Sequence, residues 1–252
     1  MTTILAIVNQ KGGVGKTTTS INLAAGLGAL EKRVLLVDCD PQGNATRGLG
    51  ITANAPHLYE ALTSGTPLAN VIRPTKFPNL DILPTQRDLV GVEIEFVGEE
   101  GWEVRLKTLL HDLGDRYDVV FLDCPPSLGH LTVAALTAAD GVVVPLQAEY
   151  FALEGLSELQ STIRRIQGSL NPDLQVVGIL MTMYDDRTNL SKDVAEEARS
   201  HFPGKVFEAL IPRNIRLAEA PSHGLPIFQY DIRSRGAEAY LAAARELLRR
   251  IS

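Results

Sequence analysis

The chain has 252 residues, 45% hydrophobic and 21% charged, with a formal net charge of −6. That is enough for one large α/β domain, and no apolar run reaches the roughly 18–20 residues of a bilayer span. Two cysteines, Cys39 and Cys124, supply neither a disulfide framework nor a four-ligand metal site, so a reducing compartment is expected. Residues 1–160 carry 11 Lys+Arg against 19 Asp+Glu, and residues 161–252 carry 13 against 11. An acidic chain of this kind can still present a basic surface on its C-terminal part.

In chain order, Ile4–Val8 reads as a buried strand, Thr17–Leu30 as a helix and Val34–Val37 as a second strand. Thr52–Gly101 is less regular, with a helix expected at His57–Leu62 and a strand at Leu80–Leu83. Further strands are expected at Val119–Leu122, Gly141–Pro145 and Val176–Thr182. Helices are expected at Leu131–Ala138, Leu153–Ile166, Ser191–Ser200 and Gly236–Ile251. Short runs of Val, Ile and Leu without polar alternation suit parallel strands covered on both faces. Alternation of strand and helix predicts a doubly wound, mostly parallel α/β sheet, with ligands beyond the carboxyl ends of the strands. No linker-like run divides the chain, so a single domain over 1–252 is expected.

The first strand runs into Lys11-Gly12-Gly13-Val14-Gly15-Lys16-Thr17-Thr18. The glycines let backbone N–H groups turn inward toward phosphate oxygens, and the following helix aims its positive dipole end at the same place. Lys16 is expected at the β- and γ-phosphates, and the Thr17 hydroxyl at Mg²⁺. The usual P-loop has a glycine five residues before Gly15; this chain has Gln10 there, followed by a second lysine, Lys11.

The second strand ends in Asp38-Cys39-Asp40-Pro41-Gln42-Gly43. Asp40 is expected to orient an attacking water and Asp38 to support the magnesium shell. Val119–Leu122 ends in Asp123-Cys124-Pro125-Pro126, and a strand-end Asp beside a P-loop is placed to hold Mg²⁺, usually through water. Pro212-Arg213-Asn214 reads as a loop able to cover an adenine. The five histidines show no metal-ligand spacing and are read as structural or surface.

These motifs resemble the ParA/Soj/MinD group of deviant Walker A ATPases. Thr182-Met-Tyr-Asp-Asp-Arg187-Thr and Ile211-Pro-Arg-Asn-Ile-Arg216-Leu-Ala-Glu-Ala-Pro-Ser222 are similar to the Soj-type chromosome-partitioning members in particular. The resemblance spans Ile4 to about Arg250. It implies a homodimer that sandwiches two ATP molecules, with Lys11 reaching across to the partner's phosphates. It also implies sequence-independent binding to double-stranded DNA through Arg187 and Arg216, hydrolysis stimulated by a ParB-like centromere-binding protein, and a cytoplasmic, nucleoid-associated location. The P-loop strand begins at residue 3 or 4, so the N-terminal helix-turn-helix domain of longer plasmid relatives is not expected.

Two rivals share parts of the pattern. MinD-like cell-division ATPases bind membranes through a C-terminal amphipathic helix; here Tyr240–Ser252 is read as a helix packed on the core, without stable membrane association. Nitrogenase-iron-protein-like reductases bridge a cluster with cysteines from separate loops, whereas Cys39 and Cys124 lie inside the nucleotide motifs.

Overall fold

A computed structural model describes residues 2–52, 54–149 and 152–252, with residues 152–154 described in backbone only. Seven strands form one sheet in the order β3-β4-β2-β5-β1-β6-β7. They are β1 Thr3–Ile7, β2 Val34–Asp38, β3 Arg73–Pro74, β4 Leu80–Leu83, β5 Val119–Asp123, β6 Gly141–Gln147 and β7 Gln175–Thr182. Every neighbouring pair is parallel except β3 with β4.

The strands alternate between two cores. Ala6, Leu35, Val37, Val120, Leu122, Val142 and Val144 belong to one. Leu5, Ile7, Val34, Leu36, Val119, Phe121 and Val143 belong to the other. Successive side chains of a strand point to opposite faces, so a strand apolar at every position must be covered twice. Each buried Leu, Val or Phe contributes roughly 1.5–3 kcal/mol relative to exposure, and this favours layers of helix on both faces.

On the second face lie helix α1, Lys16–Ala29, and the C-terminal helix Arg235–Ile251. They cross closely at Gly26, where a Cβ would meet the Ala244 methyl at 2.7 Å. Tyr240, Ala243, Ala244 and Leu247 of the C-terminal helix are buried, as its reading as a core-packing element requires. The other face is covered by helices that include Leu58–Thr63, Arg105–His111, His130–Ala138 and Asn189–His201. Helix Ala152–Ser169 follows β6.

The expected strands and long helices are present, within a few residues at their ends. β3 and helix Arg105–His111 were not expected. β3 is a two-residue edge strand containing Pro74, and such a piece carries no hydrophobic period; proline is tolerated there because an edge strand can forgo a ladder donor.

Candidate nucleotide site

The ends of β1, β2 and β5 converge. Thr3–Ile7 pairs in register with Val119–Asp123, so Ile7 faces Asp123, and on the other side of β5 Asp38 faces Asp123. Polar side chains at these strand ends are therefore brought together by the ladder, beyond the carboxyl edge of the sheet.

The loop from Asn9 to Gly15 is held from several directions. The Asn9 amide donates to the Pro145 carbonyl at 2.8 Å and its oxygen accepts the Lys11 N–H at 3.0 Å. The Thr182 hydroxyl donates to the Val14 carbonyl at 2.8 Å. Gly13 and Gly15 have φ of 79° and 87°, the left-handed region that L side chains avoid. Gly15 caps α1. A Cβ at Gly12 or Gly13 would meet nothing within 4 Å, so the backbone there borders open space. With the first N–H groups of α1, this is a cradle for phosphate.

The two lysines of the loop part company. Lys16 is buried, and its ammonium donates to the Lys11 carbonyl at 2.9 Å. Burial holds its pKa below the usual lysine value, opposed by the nearby Asp123 and Asp40. Lys11 instead lies on the surface with 45% of its side chain exposed, paired with Glu149 just past β6. An exposed pair of this kind is worth about 0–1 kcal/mol, so it leaves Lys11 free to move.

Three aspartates serve different ends. Asp123 is fully buried; its Oδ1 accepts from the Ser20 hydroxyl at 2.7 Å, while Oδ2 is buried with no hydrogen-bond partner among the described residues. Burial raises its pKa, opposed by the hydrogen bond from Ser20, by the nearby Thr17 hydroxyl and by the charge of Lys16. A buried carboxylate oxygen without a donor calls for a counter-charge, and a hard divalent cation held by Asp123 and Thr17 fits this donor set. Asp38 is fully buried too, but its Oδ2 accepts from the Thr46 N–H at 2.8 Å and hydroxyl at 2.6 Å, and its Oδ1 from the Asp40 N–H at 3.3 Å. Burial raises its pKa first, then the charge of Asp123. Its local work is to hold the loop that carries Asp40. Asp40 is 7% exposed, and its Oδ1 accepts the Gln42 N–H at 2.9 Å.

Beside the cradle is a cleft of about 390 Å³, lined by Gly15, Thr18, Met183, Pro212, Asn214 and Tyr240 among others. It brings Pro212-Arg213-Asn214 next to the P-loop. The Asn214 oxygen accepts the Arg216 N–H at 2.8 Å and caps the short helix Ile215–Glu219. In the sequence Tyr240 stands only as part of the terminal helix. It forms part of this cleft, with its hydroxyl 3.1 Å from that of Thr19 on α1. A larger cleft of about 620 Å³ adjoins it and is lined by Arg187, Arg213 and Arg235 with Asp185, Asp186 and Glu238, but by no residue of the P-loop.

Arg187 and Arg216 each have local partners. Arg187 donates to Asp185 through Nε at 2.8 Å and Nη2 at 2.7 Å, and Arg216 pairs with Glu219 at 3.0 Å. Their side chains stay 85% and 51% exposed.

Ser20, Thr46 and Glu149 are further residues that the motifs did not single out. Glu149 follows a buried strand, the same signal that marks Asp40 and Asp123. Ser20 lies one helical turn after Lys16 and so faces the same side of α1.

A parallel sheet, a glycine cradle at the start of α1, a buried lysine and a buried strand-end aspartate define a P-loop NTPase fold, here with a second lysine in the loop. A family model described as an AAA domain matches residues 2–176. The chromosome partitioning protein ParA of Myxococcus xanthus is 53% identical over 98% of this chain and 88% of its own. The sporulation initiation inhibitor protein Soj of Bacillus subtilis is 55% identical over 97% of each chain. Among solved structures, cobyrinic acid a,c-diamide synthase from Mycobacterium smegmatis, with bound ADP and magnesium, superposes with a TM-score of 0.87 at 39% identity, covering 99% of this chain and 95% of that one. The chain belongs to the ParA/Soj family of partitioning ATPases, within the P-loop class.

Proposed function

We propose that the chain binds Mg²⁺-ATP, dimerises on it, and as a dimer binds double-stranded DNA without regard to sequence, until a ParB-like centromere-binding protein stimulates hydrolysis and release. The observation that carries this reading is the separation of the two loop lysines. Lys16 is buried at the cradle, whereas Lys11 stands at the surface, where Glu149 is its ion-pair partner among the described residues. A cation so placed can serve a second subunit's phosphates. Supplying that charge in trans ties hydrolysis to dimerisation, as an arginine finger does.

The remaining roles follow from position. Backbone N–H groups of residues 12–18 and Lys16 hold the phosphates. Thr17 and Asp123 hold the magnesium, with Asp38 behind them, and the ion neutralises charge on the phosphates. Asp40 orients the attacking water. Pro212, Arg213 and Asn214 cover the base. Arg187 and Arg216, exposed on the part of the chain with net positive charge, meet DNA phosphates. A cytoplasmic, nucleoid-associated location follows from that binding. The names of the Myxococcus and Bacillus relatives support the reading, as does the ADP and magnesium of the Mycobacterium structure.

The test is ATP binding and turnover by Lys11→Ala. The variant is expected to bind ATP as the parent does and to lose turnover. Loss of ATP binding together with turnover would place Lys11 in its own subunit's site.

A further inference from the structure

Four of the seven large hydrophobic residues that are exposed among the described residues fall in one short stretch: Val90 at 54%, Ile94 at 74%, Val97 at 68% and Val104 at 43%. The first three are spaced i, i+4, i+7: Val90 lies in the 3-10 helix Arg87–Gly91, Ile94 in helix Val92–Glu95, and Val97 in the turn that continues it. They form one stripe of a helical surface. Leu89, Val92 and Phe96, on the opposite stripe, are fully buried. The segment thus has two apolar faces, and only one of them meets the core. Single exposed apolar side chains are ordinary, but a stripe of them marks an interaction site.

The segment is fastened in place, so the outer stripe is held ready. Glu93 accepts from the His130 N–H at 2.9 Å and sits 2.8 Å from His130 Nδ1, at the start of helix His130–Ala138. Trp102 lies edge-on to the His130 ring at 4.6 Å and packs against Phe96 at 5.9 Å.

Charge selects the occupant. Residues 87–105 carry six acids, Asp88, Glu93, Glu95, Glu99, Glu100 and Glu103, against Arg87 and Arg105. Arg105 is already paired with Glu99, and Asp88, Glu93 and Glu95 have neighbours in His57, His130 and Tyr59, which carry no formal positive charge when the histidines are neutral, so the stretch stays net acidic around Glu100 and Glu103. A second copy of the same surface, an anionic bilayer and DNA would all be repelled. We propose that the Val90–Ile94–Val97 stripe is the docking surface for a basic amphipathic segment of a partner protein, whose apolar face covers the stripe while its Lys or Arg residues meet the surrounding carboxylates. This surface lies outside the nucleotide site and does not depend on the reading of that site.

The experiment is fluorescence anisotropy with the full chain and a labelled amphipathic Leu/Lys peptide, beside the same peptide with Glu for Lys. The Lys peptide is expected to bind saturably and less well as salt rises, and the Glu peptide not to bind. Ile94→Ser with Val97→Ser is expected to weaken the Lys peptide about tenfold or more, as loss of central apolar anchors does. Glu100→Lys with Glu103→Lys is expected to weaken it as well. Lys16→Ala, which tests the nucleotide site, is expected to bind the peptide like the parent. Equal binding of the two peptides, undiminished binding by the Ser variant, or a change of oligomeric state on the Ser substitutions alone would each overturn the proposal. Ile94, Val97 and Glu100 are exposed and Glu103 is half-buried, and unchanged melting temperatures show that the fold is intact.

Discussion

Asp38 and Asp123 sit opposite one another in register at the ends of β2 and β5, both without solvent exposure. One carboxylate is occupied by Thr46 and the Asp40 N–H; the other keeps an oxygen with no donor among the described residues. Burial and mutual repulsion therefore oppose ionising both carboxyls together at the point where a divalent cation is proposed to sit.

That repulsion has a pH dependence. Burial raises the Asp38 pKa in the folded protein above the ordinary carboxylate range, and the unfolded group titrates near about 3.9. Between the two the folded state holds a proton that the unfolded state has lost, so this group's contribution falls as pH rises. Asp38→Asn removes the titration and keeps most of the side-chain shape. The difference in melting temperature, variant minus parent, is expected to grow from pH 6 to pH 9 without nucleotide. A difference that is flat or shrinks over that range contradicts a raised pKa.

Lys16→Ala is expected to lose most ATP affinity. A charge-assisted contact to phosphate is worth roughly 1.5–3 kcal/mol, which is about ten- to a hundredfold in Kd. Titration with a fluorescent ATP analogue measures it. Affinity within a factor of about two of the parent, well under 1 kcal/mol, removes Lys16 from the phosphate site.

Arg187→Glu and Arg216→Glu are expected to weaken DNA binding alike for all sequences and to lower its salt dependence, because contacts to phosphate release counterions. ATP binding is expected to be unchanged. Both arginines pair locally with acids, so DNA must compete with Asp185 and Glu219 for them. If the variants match the parent in affinity and salt slope, those local pairs are the arginines' only role.

The buried strands were plain in the sequence because each is a run of Val, Ile and Leu that only a sheet covered on both faces can hide. The cradle was equally plain, because Gly12, Gly13, Gly15 and Lys16 are local to one turn. What was not legible depends on chain topology. Thr19 and Tyr240 are 221 residues apart yet meet beside the base cleft. Ser20 reaches Asp123 only because α1 and β5 are neighbours in space. Lys11 could be recognised, but its partner Glu149 could not, since their meeting requires β6 to lie beside β1. Helix Arg105–His111 escaped notice because it buries only Leu106 and Leu110, too few to show a period.

ATP is proposed to make a DNA-binding dimer, and Asp40→Ala isolates that state by removing the residue proposed to orient water. Light scattering of Asp40→Ala with Mg²⁺-ATP, followed by DNA binding with and without the nucleotide, is the most direct measurement. The predicted result is a stable dimer with ATP, a monomer without it, and DNA binding by the dimer alone. A variant that stays monomeric with ATP, or that binds DNA equally well without it, contradicts the account.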